Sequence, residues 1–461
     1  MPNGQFIIPS STTASGLTPI SAISRFQEDQ FNINVDLKIN EKHNFTGKVF
    51  SANNPFTQGN FNFAGLGNGP TQLPGFGGEL DLINRVVSLS DTYIFSPNIV
   101  NQARFGYNRI RVTSEPQEPF TAKQFGIDSP TSNLYSGLPT IQVVGLFTLG
   151  SSPFADQSSA INTFTYSDTL SITAGRHRLR LGAEYRRSQV NFFFNAFTRG
   201  QLVFPTFASF LAGQSISLLG SGVFDRALRV NEFSAFAQDD IKVNNRLTLN
   251  LGIRYEFFGN PTEQQGRLIN FLPEQFKNGS VTAIAQPPNG FVQAGNAENP
   301  IAGVPLVSDS LIDNDLNNIA PRFGFAYKPF NSDKVVIRGG YGIYFDRVST
   351  RSINTQVLNF PFFSLATAVG RPLASPFAPV PQPTAFPVIP TVPSLLGTPI
   401  SGIFLDPNFR SPYVQQYNLN IQYAVRNDLL LEFGYVGSKG TKLLQVVSLN
   451  QPVFNPVTRQ F

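Results

Sequence analysis

Residues 246 to 258 read RLTLNLGIRYEFF, and they alternate without a break: Leu247, Leu249, Leu251, Ile253, Tyr255 and Phe257 against Thr248, Asn250, Gly252, Arg254 and Glu256. Successive strand side chains point to opposite faces, so the stretch is a strand with one apolar face and one polar, charged face. A turn at Asn244-Asn245 joins it to another alternating run at 230–243. The hairpin so formed is one of six along the chain. Residues 31–39 pair with 44–50 around 40–43, 85–95 with 99–111 around Ser96-Pro97-Asn98, and 162–174 with 177–190 around Gly175-Arg176. Residues 319–330 pair with 334–347 around Asn331-Ser332-Asp333, and 412–425 with 429–437 around Arg426-Asn427-Asp428. Between hairpins lie Gly/Pro/Asn-rich stretches at 51–80, 112–161, 191–229, 259–318 and 348–411, far longer than ordinary connections. Short turns alternating with long loops are the signature of an antiparallel transmembrane β-barrel, with turns on the periplasmic side and loops outside.

A soluble sandwich shows the same period of two, so alternation alone does not choose the solvent. Strand length favours a membrane, because these runs exceed the ~5–6 residues usual in sandwiches and match the ~9–11 needed for a tilted crossing. Charge agrees. Arg104, Arg178, Arg180, Glu184, Arg254, Glu256, Arg322 and Arg338 fall on the polar faces and are the residues expected to line a water-filled lumen. The opposite faces meet outer-membrane lipid.

The 461 residues form one unit without a linker: a leading segment 1–30, six hairpins over 31–437 and a trailing segment 438–461. No run of ~18 apolar residues is present, which excludes a transmembrane helix. Charged residues make up 14%, and the net charge of +5 is spread along the chain, giving no case for a nucleic-acid partner. Without cysteine there is neither a disulfide nor a thiolate metal site. Aromatic residues are 45 Phe and 13 Tyr with no Trp, so the interfacial girdle of a barrel falls to tyrosines. Tyr107, Tyr185, Tyr255, Tyr327, Tyr341, Tyr417 and Tyr435 are placed to supply part of it. MPNGQFIIPSSTTASGL at the start has no basic n-region or apolar h-region, and the segment before Phe461 does not alternate. The expectation is a piece of a longer precursor that carries a signal peptide.

Chemical motifs have plainer readings. His43 and His177 are the only histidines, both at turns and expected to be solvated, and no metal site is expected. Adjacent Asp239 and Asp240 point to opposite faces and cannot share a substrate. Glycines 65, 67 and 69 lack the following helix that a phosphate loop needs. With no nucleophile, base and orienting group to assemble, neither enzymatic activity nor a cofactor is expected. FPTFASFLAG at 204–213 is expected to hold a short helix within a loop, and PFAPVPQPTAFPVIPTVP at 376–393 favours polyproline II.

Four segments carry a family resemblance. NEFSAFAQDDIKVNNRLTLNLGIRYEFF at 231–258 resembles the barrel of TonB-dependent outer-membrane receptors, in particular the Oar-like subgroup. So do NRVVSLSDTYIFSPNIVNQARFGYNR at 84–109, NIAPRFGFAYKPFNSDKVVIRGGYGIYFD at 318–346 and SPYVQQYNLNIQYAVRNDLLLEFGYVGSKGTKLL at 411–444, in the family's order. Ile241 stands where the family often has Trp. The resemblance implies a partial barrel of about twelve of the family's ~22 strands, without plug domain or TonB box. It further implies uptake of an unidentified extracellular ligand across the outer membrane of a Gram-negative bacterium. In the full-length protein the partners would be a plug and the TonB energy-coupling complex. The alternatives are a self-contained porin-like barrel and a soluble β-rich adhesin or binding protein.

Overall fold

The computed structural model describes residues 8, 16–59, 72–129, 135–276, 290–330, 334–378 and 402–449. Alternation becomes antiparallel pairing along twelve long strands. These are β1 (Asp29–Asn40), β2 (His43–Gln58), β3 (Gly78–Ser96), β4 (Ile99–Pro116), β5 (Gln157–Ala174) and β6 (His177–Phe194), followed by β7 (Asp225–Lys242), β8 (Leu247–Phe258), β9 (Ile319–Tyr327), β10 (Val335–Phe345), β11 (Tyr413–Arg426) and β12 (Leu429–Thr441). They pair in sequence order in one sheet, which Arg25–Phe26 on β2 and Thr262–Glu263 on β7 bring to fourteen strands. Among the described residues, β1 and β12 are its edges.

Side chains build the tight turns. Asn40 Oδ1 accepts from the Lys42 N–H at 2.8 Å, and Asn244 Oδ1 accepts from the N–H groups of Arg246 at 2.8 Å and Leu247 at 2.9 Å. Such Asx bonds substitute for a backbone turn. Gly175 takes a φ of 57°, the left-handed region that favours glycine. Register shifts beside three turns, at Lys38/Asn40, Ile94/Ser96 and Ala424/Arg426, add local twist.

The strands run further from these turns than the alternation alone suggested. β3 has 19 residues and β4, β5, β6 and β7 have 18 each. At ~3.4 Å per residue such a strand is about 60 Å long, and tilted by ~35–45° it rises about 43–50 Å, well beyond the apolar height of ~25 Å of a bacterial barrel. The surplus lies on the loop side of the apolar band, where the outward residues turn polar and the reading of apolar alternation stops.

The two faces are continuous from strand to strand. One carries Phe31, Ile33, Val35, Leu37 and Ile39 of β1, each more than half exposed, and with them Leu181, Tyr185, Phe233, Leu251, Ile253, Phe323, Tyr341, Tyr417, Leu419 and Phe433. All seven tyrosines of the expected girdle lie on it. The other face is polar near the turns and buried near the loops, as the run of Arg226, Leu228, Val230, Glu232 and Ser234 along β7 shows.

The long connections hold structure that the sequence reading left as loop. Phe363–Pro372, Gln214–Gly222, Gln201–Phe204, Thr140–Val143 and Phe147–Leu149 form a five-stranded sheet in that order, drawn from three connections. Ile269–Phe271, Phe291–Ala294 and Leu306–Val307 form another of three strands. The expected short helix is α1 (Phe207–Leu211), capped by Thr206 Oγ1, which accepts from the Ser209 N–H at 3.1 Å. Phe76, Leu138, Ile141, Leu202, Phe204 and Leu219 pack as a core between the larger loop sheet and its neighbours. The turn at Asn331–Asp333, the glycines at 65, 67 and 69, residues 379–393 of the proline-rich stretch and the segment before Phe461 lie outside the described residues.

Candidate functional site

Register places all eight sequence-predicted polar residues on one face. Arg104, Ser167, Glu184, Ser234 and Glu256 form a cross-strand row from β4 to β8. Closer to the turns, Ser171, Arg180, Gln238, Gly252 and Arg322 form a second. Arg178 stands opposite Asp240, and Arg338 opposite Asn420.

Arg104, Arg180, Arg254 and Arg322 come together around one concavity of about 420 Å³, with Gln102, Thr169 and Gln238 between them. Each guanidinium is held. Arg180 Nη2 reaches Asp240 Oδ2 at 3.1 Å, and Arg254 bonds Glu256 Oε1 through Nε at 2.9 Å and Ser234 Oγ through Nη2 at 2.6 Å. Arg322 sits 4.7 Å from the ring centroid of Tyr344, a cation–π contact, and Arg104 donates to Gln102. Gly182 makes room for Phe236 in this wall, since a Cβ there would lie 2.4 Å from the ring. Glu184 pairs outside the concavity with Arg186 at 3.1 Å.

Where the wall meets the loops, Arg347 Nη1 donates to both oxygens of buried Glu232, at 2.7 and 2.8 Å, with Arg186 3.7 Å away. A smaller cavity of about 160 Å³ adjoins this pair, lined by Thr163, Ser188, Asn260, Asp315 and Phe409 among others. The sequence offered no signal for Glu232–Arg347, whose partners are 115 residues apart.

Arg199 joins two connections, donating from Nε to the Ser136 carbonyl at 2.7 Å and from both Nη atoms to Asp156, with Glu118 3.4 Å away. Burial pushes the Glu118 carboxyl up to about 7 against the opposing attraction of Arg199. An apolar cavity of about 350 Å³, lined by Phe154, Phe192, Phe194, Leu358 and Arg351 among others, lies nearby.

The histidines are not simply solvated. His43 Nε2 lies 2.6 Å from Asp91 Oδ1, and His177 Nδ1 lies 2.6 Å from Asp239 Oδ2. Asp239 and Asp240 do take opposite faces, the first with His177 and the second with Arg180 and Asn250. Among the described residues, no three His, Cys, Asp or Glu side chains are grouped to hold a metal ion.

A family model described as "Outer membrane beta barrel domain" matches residues 6–460. No curated protein is similar enough to the chain to count as a match. The solved outer membrane transporter YddB from Escherichia coli shares its fold at a TM-score of 0.53 and 11% identity, over 92% of this chain and 41% of that one. The ferric enterobactin receptor from Pseudomonas aeruginosa aligns at 0.48 and 9% identity, over 94% and 45% of the two chains. The alcaligin outer membrane receptor FauA from Bordetella pertussis aligns at 0.44 and 11%, over 92% and 45%. The chain thus spans less than half the length of these solved proteins.

Proposed function

The chain belongs to the outer membrane β-barrel domain family, and on that premise we propose that it is part of the barrel of a TonB-dependent receptor of the Oar-like subgroup. The likeness in fold to an outer-membrane transporter supports the transporter reading. The exposed apolar face meets lipid, and the polar face carrying Arg104, Arg178, Arg180, Glu184, Arg254, Glu256, Arg322 and Arg338 lines the lumen. The short turns face the periplasm. The long connections face outward and capture an extracellular ligand. In the complete, longer protein, exported by a signal peptide, a plug domain fills the lumen and the TonB complex displaces it.

One observation carries this reading: four arginines gather around a single concavity of the polar wall, on the turn side of connections that hold an apolar core of their own. Guanidinium groups held in place by carboxylate, amide and aromatic neighbours suit contact with carboxylates of a plug or of an anionic solute in passage. The test compares cells bearing the full-length protein with cells bearing its Arg180→Glu/Arg254→Glu variant, measuring depletion of solutes from conditioned medium with and without a protonophore. Receptor-type transport gives depletion that the variant weakens and the protonophore abolishes. Depletion that persists with the protonophore identifies a passive pore instead.

A further inference from the structure

On the exposed face, five arginines occupy three consecutive cross-strand rows on the loop side of the apolar belt. The row below them is Leu89, Phe105, Tyr166, Tyr185 and Phe233, running from β3 to β7. Next outward come Val87, Tyr107, Phe164, Arg187 and Asn231, and then Arg85, Arg109, Asn162, Gln189 and Arg229. Arg111 stands in the third row, between Ile83 and Ala160. Asp29 of β1 lies at the far end of the third row, opposite Asn53, and the other acids stand further out, with Asp81 and Asp225 in the next row and Glu79 and Glu115 in the one after. Asp225 is taken by Arg267 at 2.9 Å.

This arrangement is costly for the protein alone. Arg85 and Arg109 stand directly opposite each other, and like charges so placed, at a Cβ separation of ~4.5–5.5 Å, destabilise a sheet. Their acceptors do not neutralise them. Arg85 Nη2 donates to Asn53 Oδ1 at 3.0 Å, Arg109 Nη1 to Asn162 Oδ1 at 2.7 Å and Arg229 Nη1 to Asn191 Oδ1 at 2.9 Å, all neutral amides. Arg111 and Arg187 are exposed. Arg187 lies diagonally beside Arg229, within reach of a shared ligand.

We propose that this belt binds the phosphorylated headgroups of glycolipids in the outer leaflet, whose acyl chains lie along the aromatic row beneath. Planar guanidinium groups pair with phosphate oxygens two at a time, and several together hold a multiply charged headgroup. Bands of apolar, aromatic and cationic residues in that order match the succession of chain, interface and phosphate at a leaflet surface. The inference rests on the outward orientation of the loops proposed above and is independent of transport.

The test uses the full chain purified in neutral detergent and native mass spectrometry. Its probes are lipid A, an acylated glucosamine disaccharide bearing phosphates, then its dephosphorylated form and inorganic phosphate. The wild type should retain lipid A, and Arg85→Gln/Arg109→Gln and Arg187→Gln/Arg229→Gln should each weaken it by about tenfold or more. Arg322→Gln, on the opposite face, should leave it unchanged. Heat-modifiable mobility reports folding, and should a paired variant fail to fold, the exposed single change Arg187→Gln should still weaken binding. Equal retention of the dephosphorylated lipid, displacement of lipid A by equimolar inorganic phosphate, or wild-type affinity in folded Arg→Gln variants would each overturn the proposal.

Discussion

Ile253 and Arg254 are neighbours in sequence and yet serve opposite surroundings. Ile253 is about half exposed on the apolar face, while Arg254 packs against Ser234, Glu256 and Phe236 on the other. A single residue position therefore decides whether a charge is tolerated. Ile253→Arg should lower folding stability in lipid vesicles by roughly 2–4 kcal/mol, the cost of a cation at the mid-plane of a barrel. Asn250→Arg, exposed on the polar wall opposite Asp240 and Gly324, should shift urea unfolding by no more than ~0.5 kcal/mol. Equal costs at the two positions would contradict the assignment of faces. The period of two made the placement of the eight wall residues legible from sequence. It could not show Glu232 with Arg347, because a pair closing over 115 residues leaves no local pattern.

Among the elements, the hairpins were readable because each is closed locally, by an Asn or Gly turn flanked by two alternating runs. The loop sheets were not. Thr140–Val143 and Gln201–Phe204 are four residues each, too short for alternation to stand out, and they pair in parallel, each residue with one 61 positions further along the chain. Arg199 ties the connections that carry them, bonding Ser136 and Asp156 beside Glu118, so the protonation of Glu118 is expected to bear on their stability. Because the folded carboxyl titrates at about 7, above its ordinary value of 4.5, the folded loops hold a proton that the unfolded chain has released between those values. Stability of the loop sheet should thus fall as pH rises through that window and level off above about 7. Hydrogen exchange at Leu138 and Thr140, corrected for intrinsic rates, should show this loss of protection in the wild type and not in Glu118→Gln. A pH-independent wild type would refute the role of Glu118.

At the scale of the molecule, twelve strands in sequence order present one apolar and one polar face without interruption, and every described short turn lies at the same end of the sheet. The family match agrees with that architecture over nearly the whole chain. The central claim is that this sheet crosses the outer membrane with its loops outside, and cysteine labelling tests it most directly, since the chain has no cysteine of its own. Leu211 in α1 is 71% exposed among the loops, and Asn245 is exposed in the turn between β7 and β8. In intact cells bearing the full-length protein, a membrane-impermeant maleimide should label Leu211→Cys at once and Asn245→Cys only after the outer membrane is permeabilised. Equal labelling of both in intact cells, or labelling of Asn245→Cys alone, would contradict the account.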